Sequence, residues 1–196
     1  MKAVTIIKRE HRNLGAVLTC LELLVRDIGE EGRQPDFRVF HAILTYLDSF
    51  LDRYHHPKED EHLFPALRRR YPESEAILQR LEAQHEDAIE MTDEVRRALS
   101  TYEFAGDDAF PAFRDLVMKY VSFERDHAYT EEREVLPLAR EHLTEQDWES
   151  IDAAFEDNED PLFGDTRRKE YGKLASVIAN LTPAPHGLGA KWKSRS

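Results

Sequence analysis

The chain has 196 residues, 41% hydrophobic and 34% charged, the make-up of a charge-rich globular protein with chain enough for a sizeable core. Asp and Glu outnumber Lys and Arg by 39 to 27, and a net charge of −12 weighs against nucleic acid and anionic membrane surfaces as partners. The one cysteine, Cys20, rules out a disulfide framework or a Cys-rich metal site; with no apolar run of signal-peptide or membrane-spanning length, the expectation is a reduced, cytoplasmic protein.

Apolar residues recur at helical spacing almost throughout. Ile7, His11, Leu14, Leu18, Leu21, Val25 and Ile28 form one stripe on a first helix, which Gly29 and Gly32 are expected to end. A second stripe runs Phe37, Phe40, Leu44, Leu47, Leu51, His55, Glu59. After a break at Tyr71-Pro72, a third runs Leu78, Leu81, His85, Ala88, Thr92, Val95, Leu99. A fourth runs Phe113, Leu116, Tyr120, Phe123, His127, Glu131. No period-2 alternation appears, so no strand is predicted. Pro111 suits a first helical turn, whereas Pro57, Pro65 and Pro137 are expected to kink or end their helices.

Short connections at 29–35, 71–73 and 102–107 make neighbouring helices antiparallel. The predicted fold is all-α: an up-down-up-down four-helix bundle over residues 1–142, with residues 143–196 as an extension packed on it. Thr144 opens a fifth helix running to about Phe155, with Trp148, Ile151 and Phe155 facing the bundle. Residues 160–164 read as a loop, 165–180 as a sixth short helix, and the segment after Pro183 as an extended tail.

The stripes carry histidines where a bundle core wants Leu. His11, His55, His85 and His127, with Glu59 and Glu131, all project to one interior. Six separately buried ionisable groups would cost several kcal/mol each unless paired or bound to a cation. The spacing is duplicated: residues 55–65 align without gaps on 127–137, both reading His-x3-Glu and ending apolar-apolar-Pro. His11 lies 44 residues before His55, and His85 lies 42 before His127. Each half is thus a helical hairpin supplying two imidazoles and one carboxylate, and two hairpins pair about a pseudo-two-fold axis. A His and a Glu four residues apart can grip one ion together, and a glutamate between two ions can bridge them. One ion would take His11 and His55, the other His85 and His127, with Glu59 and Glu131 bridging. Imidazole and carboxylate without thiolate suit iron or manganese, with zinc and copper possible by affinity.

The remaining histidines read differently. His56 points about 100° from His55 and is expected at the surface or beside the ligands. His62 lies near the ligand face and could be an additional ligand or a pocket-lining base. His41 is too far along its helix to join the site, and His142 and His186 are expected to face solvent. Asp60 and Glu132 read as hydrogen-bonding helix residues. Tyr54, Tyr120, Phe123 and Phe64 read as core or pocket lining, and Cys20 as a buried, inert thiol.

At these residues the chain resembles the hemerythrin-like, or HHE cation-binding, family, over about Ile7 to Leu138. The marks are EHR around His11, HHPKEDEHLFPAL from His55, AQHED around His85 and DHAYTEEREVLPLA from His127. The resemblance implies two non-haem iron ions bridged by two carboxylates and an oxo or hydroxo group. It also implies a small diatomic ligand (O2 or NO), peroxide or iron itself as what the protein binds or senses. The alternatives are a di-iron peroxidase or NO reductase, or an iron donor for damaged iron centres. Oxygen-carrying members hold a further histidine one turn from that of the third helix; here those positions are Leu81 and Ile89, which cannot bind metal. A homodimer is compatible with the sequence.

Overall fold

The computed structural model describes residues 1–156, 160–163, 176 and 180, and among these it is all-helical, with no strand. Helix α1 is Lys2–Glu31. It runs through Gly29 and stops at Gly32, whose φ of 64 is the left-handed conformation that glycine adopts without strain. Helix α2 spans residues 37–70, and after a single turn at Pro72–Ser74 helix α3 covers Glu75–Ala105. Helix α4 spans 110–142 and α5 is Glu145–Glu156. Pro111 lies in the first turn of α4, as expected. Helix α4 packs against both α1 and α3, and α2 packs along α3.

Of the two outcomes expected at Pro57, Pro65 and Pro137, a kink or an end, the structure excludes the end. A proline clashes with the carbonyl four residues back and offers no N–H to it. Here the backbone widens to π-helical turns over Leu47–His55, Glu59–Leu63 and Glu131–Val135, and each stretch contains the residue four before a proline. The N–H groups just beyond then reach back five residues, His56 to Leu51 O, Phe64 to Glu59 O and Leu136 to Glu131 O. So α2 and α4 continue, and both His-x3-Glu pairs sit where an α-helix gives way to a π turn.

The first three stripes face inward much as predicted, and in the fourth Phe113, Tyr120, His127 and Glu131 do so while two members do not. Leu116 and Phe123 are only half-buried, while Val117, Val121 and Glu124 are buried instead. Tyr54, expected as core, is exposed.

Two apolar clusters result. One gathers Leu18, Phe40, Leu44, Tyr102, Phe113 and their neighbours. The other gathers Val4, Ile7, Phe64, Leu78, Leu136 and the inner face of α5. Between them in sequence, on all four long helices, lie ten buried ionisable residues: Glu10, His11, Asp52, His55, His56, Glu59, His85, Glu124, His127 and Glu131. This placement holds an ionisable layer between two dry ends, which limits solvent access to it.

Helix α5 begins as the sequence suggests. Thr144 Oγ1 accepts from the Asp147 backbone N–H, and Asp147 in return accepts from Thr144 N–H and hydroxyl, a reciprocal cap. Trp148, Ile151 and Phe155 are buried, and Asp152 holds the chain's amino terminus at 2.8 Å and the Ala3 N–H at 2.7 Å. Buried Asp160 accepts from the backbone of Leu162 and Phe163 and from Asn13 on α1. Ser176 and Asn180 are helical; the rest of the expected sixth helix and the tail, with His186, lie outside the described residues. No described helix is long and apolar enough to cross a membrane.

Candidate metal centre

His11 stands on α1, His55 and Glu59 on α2, His85 on α3, and His127 and Glu131 on α4; all six are buried. The structure brings all six together. His11 Nε2 lies 3.2 Å from His55 Nε2, and His85 Nε2 lies 3.1 Å from His127 Nε2. Glu131 approaches His11 to 3.1 Å and His127 to 3.4 Å, and Glu59 approaches His55 to 3.6 Å. One ligand atom each from His11, His55, Glu59 and Glu131 lies within 4.8 Å of the others, and the same holds for Glu59, His85, His127 and Glu131. The glutamates are common to both sets.

The outer nitrogen of every imidazole is held by an oxygen. His55 Nδ1 donates to Glu10 at 2.9 Å, and His127 Nδ1 to Gln84 at 3.1 Å. His11 Nδ1 donates to Glu132 at 3.2 Å, and His85 Nδ1 to Asp60 at 2.9 Å. This makes Nδ1 the outer nitrogen and turns Nε2 inward, the orientation that metal-binding histidines require. The four anchors obey the repeat. Glu10 and Gln84 immediately precede His11 and His85, and Asp60 and Glu132 immediately follow Glu59 and Glu131. Asp60 and Glu132 hydrogen-bond as the sequence suggested. Glu10 and Gln84 were missed, although their matching places in the two halves were a readable signal.

Electrostatics sharpen the picture. Burial pushes Glu59 well above the usual carboxylate range, and the facing charge of Glu131 pushes it further. Burial also opposes charge on Glu131, but His127, His11 and His85 outweigh it and hold that carboxyl well below its usual range. Burial works against charge on His11 and His85 too, yet Glu131 and Glu132 raise His11, and Asp60 and Glu131 raise His85, to about 9 each. Left to protons, the two glutamates cannot both ionise comfortably. Divalent cations between them would let both do so.

The donor set fits metal ions on its own geometry. Glu59 Oε2 and both oxygens of Glu131 are buried and face the inward Nε2 atoms of the histidines, with Glu131 3.1 Å from His11 and Glu59 3.6 Å from His55, the contacts that a cation would replace. Metal–imidazole bonds run about 2.1 Å, so two ligands meeting at a right angle on one ion lie about 3 Å apart. The two Nε2 pairs have that separation.

Other histidines stand around these six. Of the two places open to His56, the structure takes the one beside the ligands: it is buried, stacked on His85 with ring centres 4.1 Å apart, with Nδ1 3.8 Å from Asp52 and no hydrogen bond at either nitrogen. It groups with His85 and His127 as a third set of nitrogens within 4.8 Å. The π turn from Leu47 to His55 is what rotates it inward. His62 is half-buried and joins none of the three groupings. His142 is half-buried and stacks on Tyr71 with centres 4.1 Å apart, rather than facing open solvent. His41 pairs with Glu103 at 3.0 Å, away from the centre. Cys20 is buried, with its thiol pushed up to about 12 by burial, an inert side chain as expected.

Two buried acids also escaped the sequence reading. Asp52 and Glu124 each stand three residues before a ligand histidine, and none of their four oxygens has a hydrogen-bond partner. Burial, with Asp48 nearby, raises Asp52 to about 7; burial, partly offset by His127, raises Glu124 to about 7. Both occur in the pattern acidic-Arg-x-His, so the repeat extends further upstream than the histidines.

The chain matches the family model for the hemerythrin HHE cation binding domain over residues 2–139. No curated protein sequence and no solved structure matches it.

Proposed function

Since this chain belongs to the hemerythrin HHE cation-binding domain family, we propose that it holds two iron ions bridged by Glu59 and Glu131 and uses them to bind or sense a small molecule. On this reading, His11 and His55 hold one ion, and His85 and His127 hold the other. His56 adds a third nitrogen on the second side. Residues 1–142 then act as an up-down-up-down four-helix bundle, and residues 143–196 as an extension docked on it, in a reducing cytoplasm.

One observation carries the reading. Four imidazoles, each anchored through Nδ1, turn their Nε2 atoms in two close pairs toward two buried carboxylates.

Two irons, when bound, supply the electrons that O2, NO or peroxide can accept, and two anionic glutamates offset half the charge of two divalent ions. The chain's own residues do the rest. Glu10, Gln84, Asp60 and Glu132 orient the imidazoles and keep their outer nitrogens protonated. The apolar clusters on either side exclude bulk water from the layer and slow the loss of metal.

An enzymatic reading draws on Asp52 and Glu124. Both carboxyls are held near neutrality beside the centre and could supply the protons that reduction of peroxide or NO consumes. Stopped-flow mixing separates the two readings: one stoichiometric event per chain supports binding or sensing, and sustained turnover supports the enzyme.

The primary test is metal analysis of anaerobically purified protein, with its absorption spectrum before and after air. Two irons per chain and new near-ultraviolet charge-transfer bands are expected. Protein that carries no iron and takes none up would refute the proposal.

A further inference from the structure

The two hairpins are alike around the ions but not around the space beside them. Next to His11 a cleft of about 380 Å³ opens to solvent. Its walls include Leu14, Gly15, Leu18 and Ala128, and Glu124 lies at its inner side. In the repeat, Gly15 corresponds to Ile89 and Ala128 to His56. Side chains therefore stand on the His85 side where the cleft has none.

Gly15 is not glycine for want of room. A Cβ there would meet nothing within 4 Å, and the residue is helical, where glycine costs about 1 kcal/mol relative to alanine. The small side chain keeps the cleft open at some expense to the helix.

The charge at the mouth is reversed as well. Arg12 and Arg133 line the cleft, where the repeat places Glu86 and Glu61. In a chain with 39 acidic residues against 27 basic, neither guanidinium forms an ion pair among the described residues; Glu132, also in the lining, feels the charge of Arg12 but is itself held by His11 at 3.2 Å. Arg133 rests over the Tyr129 ring at 5.9 Å. The third arginine of the lining, Arg125, is already tied to Glu22 at 2.8 Å. Two uncommitted guanidiniums at the mouth of an apolar cleft form a receptor for an anion with an apolar body.

We propose that the cleft beside His11 binds a small monocarboxylate, its head on Arg12 and Arg133 and its short apolar body against Leu14, Leu18 and Ala128, pointing at the His11 side of the centre. The role of the bound acid at the ions rests on the di-iron reading above; the cleft itself does not. The buried carboxyl of Glu124 faces the same cleft with both oxygens unpartnered. It is a polar group that a ligand entering deeply would meet.

The test is ligand-detected NMR on the full chain, as purified and after chelation of metal, with butyrate and its neutral isostere butyramide as probes. Butyrate is expected to bind saturably with a Kd on the order of 1 mM, and butyramide about tenfold more weakly. The double variant Arg12→Ser/Arg133→Ser should bring butyrate down to the level of butyramide. Gly15→Leu, or Ala128→Leu should the first fold poorly, should abolish binding of both. Glu61→Gln and Glu86→Gln on the other side should change neither. Equal affinity for acid and amide, no saturable binding, or binding indifferent to the arginines and to Gly15 would overturn the proposal. Iron is measured on the same samples. Butyrate binding by protein unable to hold iron would sink the di-iron reading and leave the cleft standing; two irons without butyrate binding would do the reverse.

Discussion

The His11 side and the His85 side of this centre are built from the same repeat, yet they differ in what surrounds them. Both pair two Nε2 atoms at 3.1–3.2 Å, and both lean on the same two glutamates. On the His85 side His56 lies stacked against the ligand, and the repeat puts Glu61 and Glu86 outside. On the His11 side Ala128 and Gly15 leave a cleft, with Arg12 and Arg133 along it. The lesson is that duplication set the histidines and glutamates, and divergence at a handful of neighbours set which histidine pair can be reached. A site needs its ligands in register, but access depends on residues that no ligand motif includes.

The strongest way to break this comparison is to remove what the two sides share. Glu131→Ala should cost both ions, lowering metal affinity at least a hundredfold by metal titration, because it belongs to both four-residue sets. Loss of only one ion would show that the carboxylate is not shared. His56→Ala tests the asymmetry directly. It should weaken one ion by about tenfold and leave the other unchanged, since Ala128 already occupies the matching place.

The anchors of the outer nitrogens come next. Glu10→Ala and Gln84→Ala should each lower metal affinity about 10–100-fold, with the larger loss at Glu10. A carboxylate strengthens the imidazole it holds more than an amide does, and Glu10 is also the shorter contact, 2.9 Å against 3.1 Å. Equal losses would mean that orientation alone matters.

The buried acids give a pH signature. Unfolded, Asp and Glu titrate near 4; folded, Asp52 and Glu124 titrate at about 7. The folded state therefore keeps protons that the unfolded state releases between those values. Stability from this source is full below about pH 4 and is lost as pH rises through about 7. In metal-free protein, Glu124→Gln and Asp52→Asn should each raise stability at pH 8 by of order 2 kcal/mol and change little at pH 4. Urea unfolding at the two pH values measures this, and an equal effect at both would contradict it.

The smallest effect separates the cleft from packed helix. Gly15→Ala should stabilise by up to about 1 kcal/mol, for the added methyl meets open space. Gly29→Ala should gain less, because its Cβ would press the Phe110 ring at 3.3 Å. Thermal melts of the two variants compare them directly.

Much of the centre was legible because histidines recurring at helical spacing, in two matching copies, survive any uncertainty about where helices end. His11, His85 and the two His-x3-Glu pairs follow from period and repeat alone. What stayed hidden lies beside the stripes. An ideal turn set His56 about 100° from His55, at the surface or beside the ligands, and the π-helical backbone over Leu47–His55 leaves it buried. In α4 the stripe favoured Leu116 and Phe123, whereas Val117 and Glu124 on the neighbouring line are the buried ones. Glu10 and Gln84 were passed over because a polar residue one position from a ligand points elsewhere on its own helix. Their partners are on the next helix, and only the tertiary structure shows that.

The most direct test is anomalous diffraction at the iron edge from crystals of anaerobically purified protein. The account predicts two peaks roughly 3.5 Å apart, one beside His11 and His55 and the other beside His85 and His127, with Glu59 and Glu131 reaching both. No peak in that layer, or a single ion that leaves either histidine pair bare, would contradict it.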